Sequence, residues 1–173
     1  MEENQPQTGK FARTYGLLTG LVGVVFAVML FVTNMHYEQV TSVQIIQILI
    51  LAAGIVLAII QFKKAGGGLL SISEALKVGA GVALVAGIIG LLWFFIQSNF
   101  IEPDYLDKVY EIGKIKAMKD NPSLTEEQID QGIEMQKGLA WVMYPVGLII
   151  NVLIALVISL IAGLILKKEE AAY

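Results

Sequence analysis

The sequence predicts an all-α protein: a four-helix transmembrane bundle, both termini cytoplasmic, with an extracytoplasmic helical hairpin between helices 3 and 4. Three observations predict it. Apolar stretches at about residues 14–33, 43–62, 73–97 and 145–166 are each long enough to cross about 30 Å of hydrocarbon at about 1.5 Å per residue. Small residues recur along two of them at helical spacing, the pattern that packs helices in lipid, where no hydrophobic force draws them together. Lysine and arginine also fall unevenly across the connecting segments.

Composition agrees. The chain is 56% hydrophobic and only 16% charged, whereas a soluble domain carries about a quarter charged residues. A net charge of −3 argues against nucleic acid, which demands a basic face. Cysteine is absent and His36 is the single histidine, so thiol chemistry and an imidazole metal site are both disfavoured. No cofactor is expected.

Residues 1–12 read as a short polar tail. The stretch from Tyr15 to Val32 exceeds the core of a signal peptide and stays as the first span, with Gly16, Gly20 and Gly23 on its packing face. Thr33 to Ser42 is a polar connection holding Asn34, His36, Tyr37 and Glu38. The second span ends at Lys63-Lys64, and Gly66-Gly67-Gly68 then turns the chain. Without a following Gly-Lys-Ser/Thr this is no phosphate cradle.

Ser71-x-x-Glu74 reads as a capping box that starts the central helix, with Lys77 on the Glu74 face as an interfacial anchor. No charge follows for twenty residues, and Ala75, Gly79, Ala83 and Gly87 form a small-residue stripe suited to the glycines of the first span. Trp93, Phe94 and Phe95 close the span at the opposite interface.

Residues 98–138 are the one sizeable extramembrane piece. Asn99 or Glu102 followed by Pro103-Asp104 marks a helix start, with Tyr105, Val109, Ile112 and Ile115 on one stripe. Asp104–Lys108 and Glu111–Lys114 are expected as surface pairs. Asp120-Asn121-Pro122 stops that helix and Thr125-x-x-Gln128 caps the next. The resulting hairpin, about 103–138, is too small for its own core and is expected to lie on the bundle end. Pro145 is expected to open the fourth span, which ends at Lys167-Lys168.

Orientation follows from the short segments. Lys10, Arg13, Lys63, Lys64, Lys77, Lys167 and Lys168 all fall on the side of the termini, and the first outer loop has neither lysine nor arginine. The positive-inside rule therefore places both termini in the cytoplasm. Each half of the chain is an in–out–in pair, and aligning the two Lys-Lys ends sets Gln47 opposite Asn151. Duplication and chance similarity of apolar sequence both remain open.

Candidate chemistry is sparse. Polar residues inside the spans are Thr19, Gln44, Gln47, Asn151 and Ser159, with Gln61 and Gln97 near the ends. Gln47 and Asn151 are expected to bond each other across helices. No ionisable residue stands at mid-depth, where ion pathways place them. No nucleophile–base set or metal-protease motif occurs, so an enzyme is not expected.

The run Gly-Gly-x-Leu-x-Ile-Ser-Glu-Ala-Leu-Lys-Val-Gly from Gly67 to Gly79, with Pro103-Asp104-Tyr105 opening the outer hairpin, resembles domain-of-unknown-function family 4199. These are small membrane proteins, mostly of Bacteroidetes bacteria. The resemblance implies a four-helix protein of the bacterial inner membrane and brings no activity and no catalytic residues. Two classes of function lead, ahead of a third and weakest, an integral membrane enzyme acting on lipid. One is a non-enzymatic accessory or assembly subunit that meets a membrane-protein partner. The other is a small transporter or channel working as a homo-oligomer.

Overall fold

A computed structural model describes residues 6–37 and 41–168. Six α-helices follow one another: α1 Thr8–Val32, α2 Thr41–Ala65, α3 Ile72–Ile96, α4 Tyr105–Asp120, α5 Glu126–Gly138 and α6 Ala140–Leu166. Of these, α1, α2, α3 and α6 are long and apolar enough to cross a membrane. Their outer faces carry exposed Val25, Leu49, Leu57, Leu92, Ile149 and Ile165. That arrangement suits lipid.

Two boundaries differ from the sequence reading. The first helix begins at Thr8, because Phe11 packs edge-on against Phe62 and Ala12 is buried beside Gly81; tertiary contact extends the helix into the expected tail. The last helix begins at Ala140, so Pro145 lies inside it. In the second turn the proline forfeits one backbone hydrogen bond and the helix continues.

The turns are built as their residues require. Gly67 and Gly68 have φ of +66° and +89°, a region glycine enters without steric cost. Ser71 then caps α3: its hydroxyl accepts from the Glu74 amide at 3.3 Å, and the Glu74 carboxylate accepts from the Ser71 amide at 2.8 Å. Thr125 and Gln128 make the same box at α5.

The core lies in the half of the bundle nearest the termini. Ile55, Ile59 and Phe62 of α2, Val78 and Val82 of α3, and Ala155 and Ser159 of α6 are essentially inaccessible. Leu70 and Lys168 exchange two backbone hydrogen bonds, and Lys63 Nζ donates to the Leu166 carbonyl at 2.7 Å. These contacts clasp the α2–α3 turn to the end of α6.

Small residues set the helix separations, in a different pairing from the one expected. The most extensive interface joins α1 and α3. Gly16 faces Val85 and Gly20 faces Ile89, each so close that a Cβ would lie 2.6 Å from the partner side chain. The α3 stripe looks elsewhere. Gly79 abuts Ser159 and Ile55, Ala83 is fully buried, and Gly87 abuts Leu148 of α6. Gly23 meets nothing within 4 Å.

Candidate functional site

Beyond the core the helices part. None of the residues from Thr41 to Ile50 in α2 is buried, whereas the second half of that helix holds five buried residues. The parting leaves a cavity of about 570 Å³ between the four long helices, in the half away from the termini. Its size falls within the range of small-molecule sites. Gly23 of α1, Gly90 of α3 and Gly147 of α6 line it, and a Cβ on any of the three would meet nothing within 4 Å. Small residues that close the bundle at one end leave it hollow at the other.

The amides singled out from the sequence converge here. Gln47 and Asn151 both line the cavity, but they are not hydrogen-bonded to each other. Asn151 Nδ2 donates to the Ala83 carbonyl at 2.9 Å. It reaches that carbonyl across Gly87, passing 3.1 Å from where a Cβ would stand. Gln44, Gln97 and Trp93 join the lining, and the indole Nε1 of Trp93 is buried without a partner among the described residues.

Against the cavity, which His36 and Tyr105 help to line, sits a polar cluster that sequence reasoning missed. After α3 the chain makes one wide turn, Gln97–Ile101, in which the Glu102 amide donates five residues back to the Gln97 carbonyl at 2.8 Å. This turn swings the Glu102 carboxylate toward the α1–α2 loop. Asp104 stands at the start of α4 but makes no side-chain cap, so the acids expected to start that helix are used otherwise. Glu102 accepts from His36 Nε2 at 3.0 Å, from the Tyr37 hydroxyl, and from Lys108 Nζ at 2.9 Å. Lys108 also pairs with Asp104 at 3.0 Å.

The Glu102 side chain is 11% exposed and that of His36 7%. Burial alone would raise the carboxyl pKa. The hydrogen bonds from Tyr37, Lys108 and His36, with the charge of Lys108, outweigh it and hold Glu102 at about 2. Tyr37 is pushed up, first by its bond to Glu102 and then by burial. Burial and the nearby carboxylate raise Tyr105. The rings of His36 and Tyr105 stack at 5.7 Å, and Tyr105 also lines the cavity. His36 Nδ1, on the other side of its ring, is buried with no partner among the described residues.

No sequence signal linked His36 to Glu102: they stand 66 positions apart, and each had a plausible local role. At the other end of the bundle, Glu74 and Lys77 line a second pocket with Lys10 and Arg13. Among the described residues Glu74 forms no ion pair with Lys77 and serves the Ser71 cap instead. No cluster of metal-ligating side chains occurs among the described residues.

The outer hairpin is rooted by this cluster and otherwise stands free. No residue of α4 is buried, and Ile129 alone is buried in α5. Lys114 crosses to Glu126 at 2.8 Å and Asp130 at 2.6 Å rather than pairing with Glu111. Of the expected stripe, Tyr105 and Val109 are half-buried while Ile112 and Ile115 stay uncovered, Ile115 at 63%, as does Met135 of α5 at 65%.

A family model described as "Protein of unknown function (DUF4199)" matches residues 14–168. No curated protein and no solved structure matches the chain.

Proposed function

The chain belongs to the DUF4199 family, and from that premise we propose a non-enzymatic, multi-pass protein of the bacterial inner membrane that works through protein–protein contacts as an accessory or assembly subunit. The hairpin carries this reading. Ile112, Ile115 and Met118 of α4, Leu124 of the turn and Met135 of α5 are all exposed outside the four spans, and exposed apolar surface of that extent marks an interaction site. The Glu102 cluster fixes the root of α4, so that surface is presented at a set place. Its surroundings are acidic, with nine acids against five lysines over residues 98–138. A membrane protein with an apolar extracytoplasmic patch ringed by basic residues would fit it.

In-cell photo-crosslinking from Ile115 or Met135 is expected to yield adducts to a different membrane protein. Adducts only to a second copy of this chain would sink the accessory reading and leave a homo-oligomer. The placement of lysines and arginines supports both termini in the cytoplasm. Because the chain has no cysteine, Lys64→Cys and Asp120→Cys can be labelled singly in intact spheroplasts. An impermeant maleimide should reach the second and not the first; the opposite result reverses the orientation.

The cavity favours a second reading, a small transporter or channel working as a homo-oligomer. It requires flux in reconstituted vesicles that Gln47→Leu abolishes while leaving the protein folded.

A further inference from the structure

The pocket on the side of the termini gathers charge of one sign. Lys10 and Arg13 of α1 and Lys77 of α3 line a space of about 760 Å³. Among the described lining residues the one carboxylate is that of Glu74, and it accepts from both the amide and the hydroxyl of Ser71 at 2.8 Å. The ion pairs formed among the described residues include none of the three cations. Like charges brought to one pocket repel, and an anion held among them removes that cost.

The surface that runs on from the pocket points to the source of the anion. Gly81 faces Ala12, Gly16 faces Val85 and Gly20 faces Ile89. Each step of four along α1 is matched by a step of four along α3, so the two helices run parallel. At about 100° per residue, Arg13, Leu17 and Leu21 stand on one flank of that seam on α1, and Lys77, Leu84 and Ile88 stand on the same flank on α3. All six are exposed. The other flank of α1, with Phe11 and Thr19, packs on Phe62 and Gly54 of α2. The cations therefore stand at the head of an exposed apolar groove that runs along both spans. Basic pockets between transmembrane helices take lipid head groups, and here an acyl chain has a place to lie beneath.

We propose that Lys10, Arg13 and Lys77 bind the phosphate of an anionic phospholipid from the leaflet on the side of the termini, with an acyl chain along the groove between α1 and α3. The site lies at the end of the bundle away from the hairpin and stands whether or not the hairpin docks on a partner. It requires that the four spans cross a bilayer, which recovery of the chain from membranes only in detergent checks separately.

The test titrates the full chain in detergent with phosphatidylglycerol or phosphatidylcholine of matched acyl chains, and native mass spectrometry counts the bound lipid. Phosphatidylglycerol is expected to bind about tenfold more tightly. Arg13→Gln on α1 and Lys77→Gln on α3 should each weaken it about fivefold, the scale of one cation beside an anionic lipid. Both side chains are exposed and stand on different helices, so a failure of either variant to fold leaves the other to decide. Lys64→Gln removes the same charge at the same end but outside the pocket, and should bind like the parent. Equal binding of the two lipids would overturn the proposal. So would an equal loss in Lys64→Gln, which would show attraction by the whole basic surface. Displacement of the lipid by inorganic phosphate at the same concentration would overturn it too, since the ligand would then be a free anion.

Discussion

Gly79→Ala is expected to push α3 and α6 apart and to destabilise the bundle by about 1–3 kcal/mol, the scale of overpacking a tight core. The added methyl would collide with the Ser159 hydroxyl. Rotating that hydroxyl away does not help, because the Ser159 Cβ itself would lie only 2.8 Å from the new carbon. Ile55 of α2 stands 3.2 Å away on another side, so the backbone has no free direction to yield. Melting in detergent reads the effect. Ser159→Gly should rescue Gly79→Ala in part, since it removes both colliding atoms. Gly23→Ala supplies the contrast. It meets nothing within 4 Å and replaces a helical glycine, so it should leave stability unchanged or raise it by about 0.5–1 kcal/mol. If Gly79→Ala melts like the parent, the close approach of α3 and α6 is wrong.

Glu102→Leu is expected to cost about 1–3 kcal/mol and to loosen the root of the hairpin. It strips His36 Nε2, the Tyr37 hydroxyl and Lys108 Nζ of their common acceptor, and buried donors left unmade carry that penalty. Lys108, about half exposed, can turn to water or keep Asp104, so the loss falls mainly on His36 and Tyr37. Limited proteolysis should then cut within residues 105–138 in the variant before the parent. The same group predicts a pH dependence. Its folded pKa of about 2 lies below the ordinary 4.5, so its stabilising contribution is complete above pH 4.5 and lost as pH falls toward 2. Glu102→Gln should flatten that part of the melting-against-pH curve. An unchanged slope would mean that the carboxylate is not held by these donors.

The four spans were legible because they depend on local sequence: apolar runs of sufficient length, the Ser71–Glu74 box and the triple glycine are all read within a few residues. The ends were less so. Thr8 to Ala12 joins α1 because Phe11 finds Phe62, 51 residues away, and Pro145 is absorbed into a helix that starts five residues earlier. Small residues pointed to close packing, but one stripe does not reveal its partner. Gly79 met α6 and α2 while Gly16 and Gly20 met a different face of α3. The amides show the same limit. Gln47 and Asn151 were visible as polar atoms in apolar helices, yet whether they touch depends on how far α2 leans out. Glu102, His36 and Tyr37 were hidden for a plainer reason: a single wide turn after Ile96 re-aims one side chain, and nothing in the residues Gln97 to Ile101 spells out its extra step.

The strap between Leu70 and Lys168, with Lys63 reaching the Leu166 carbonyl, also governs how the molecule can move. It ties the middle of the chain to its end by main-chain hydrogen bonds, at the side where all four long helices are wedged tight. A rearrangement that keeps those bonds would pivot there, as tongs pivot at the rivet. Displacements in such a motion would grow with distance along the helices and be largest at the far tips, where His36 and Glu102 hold the jaws together.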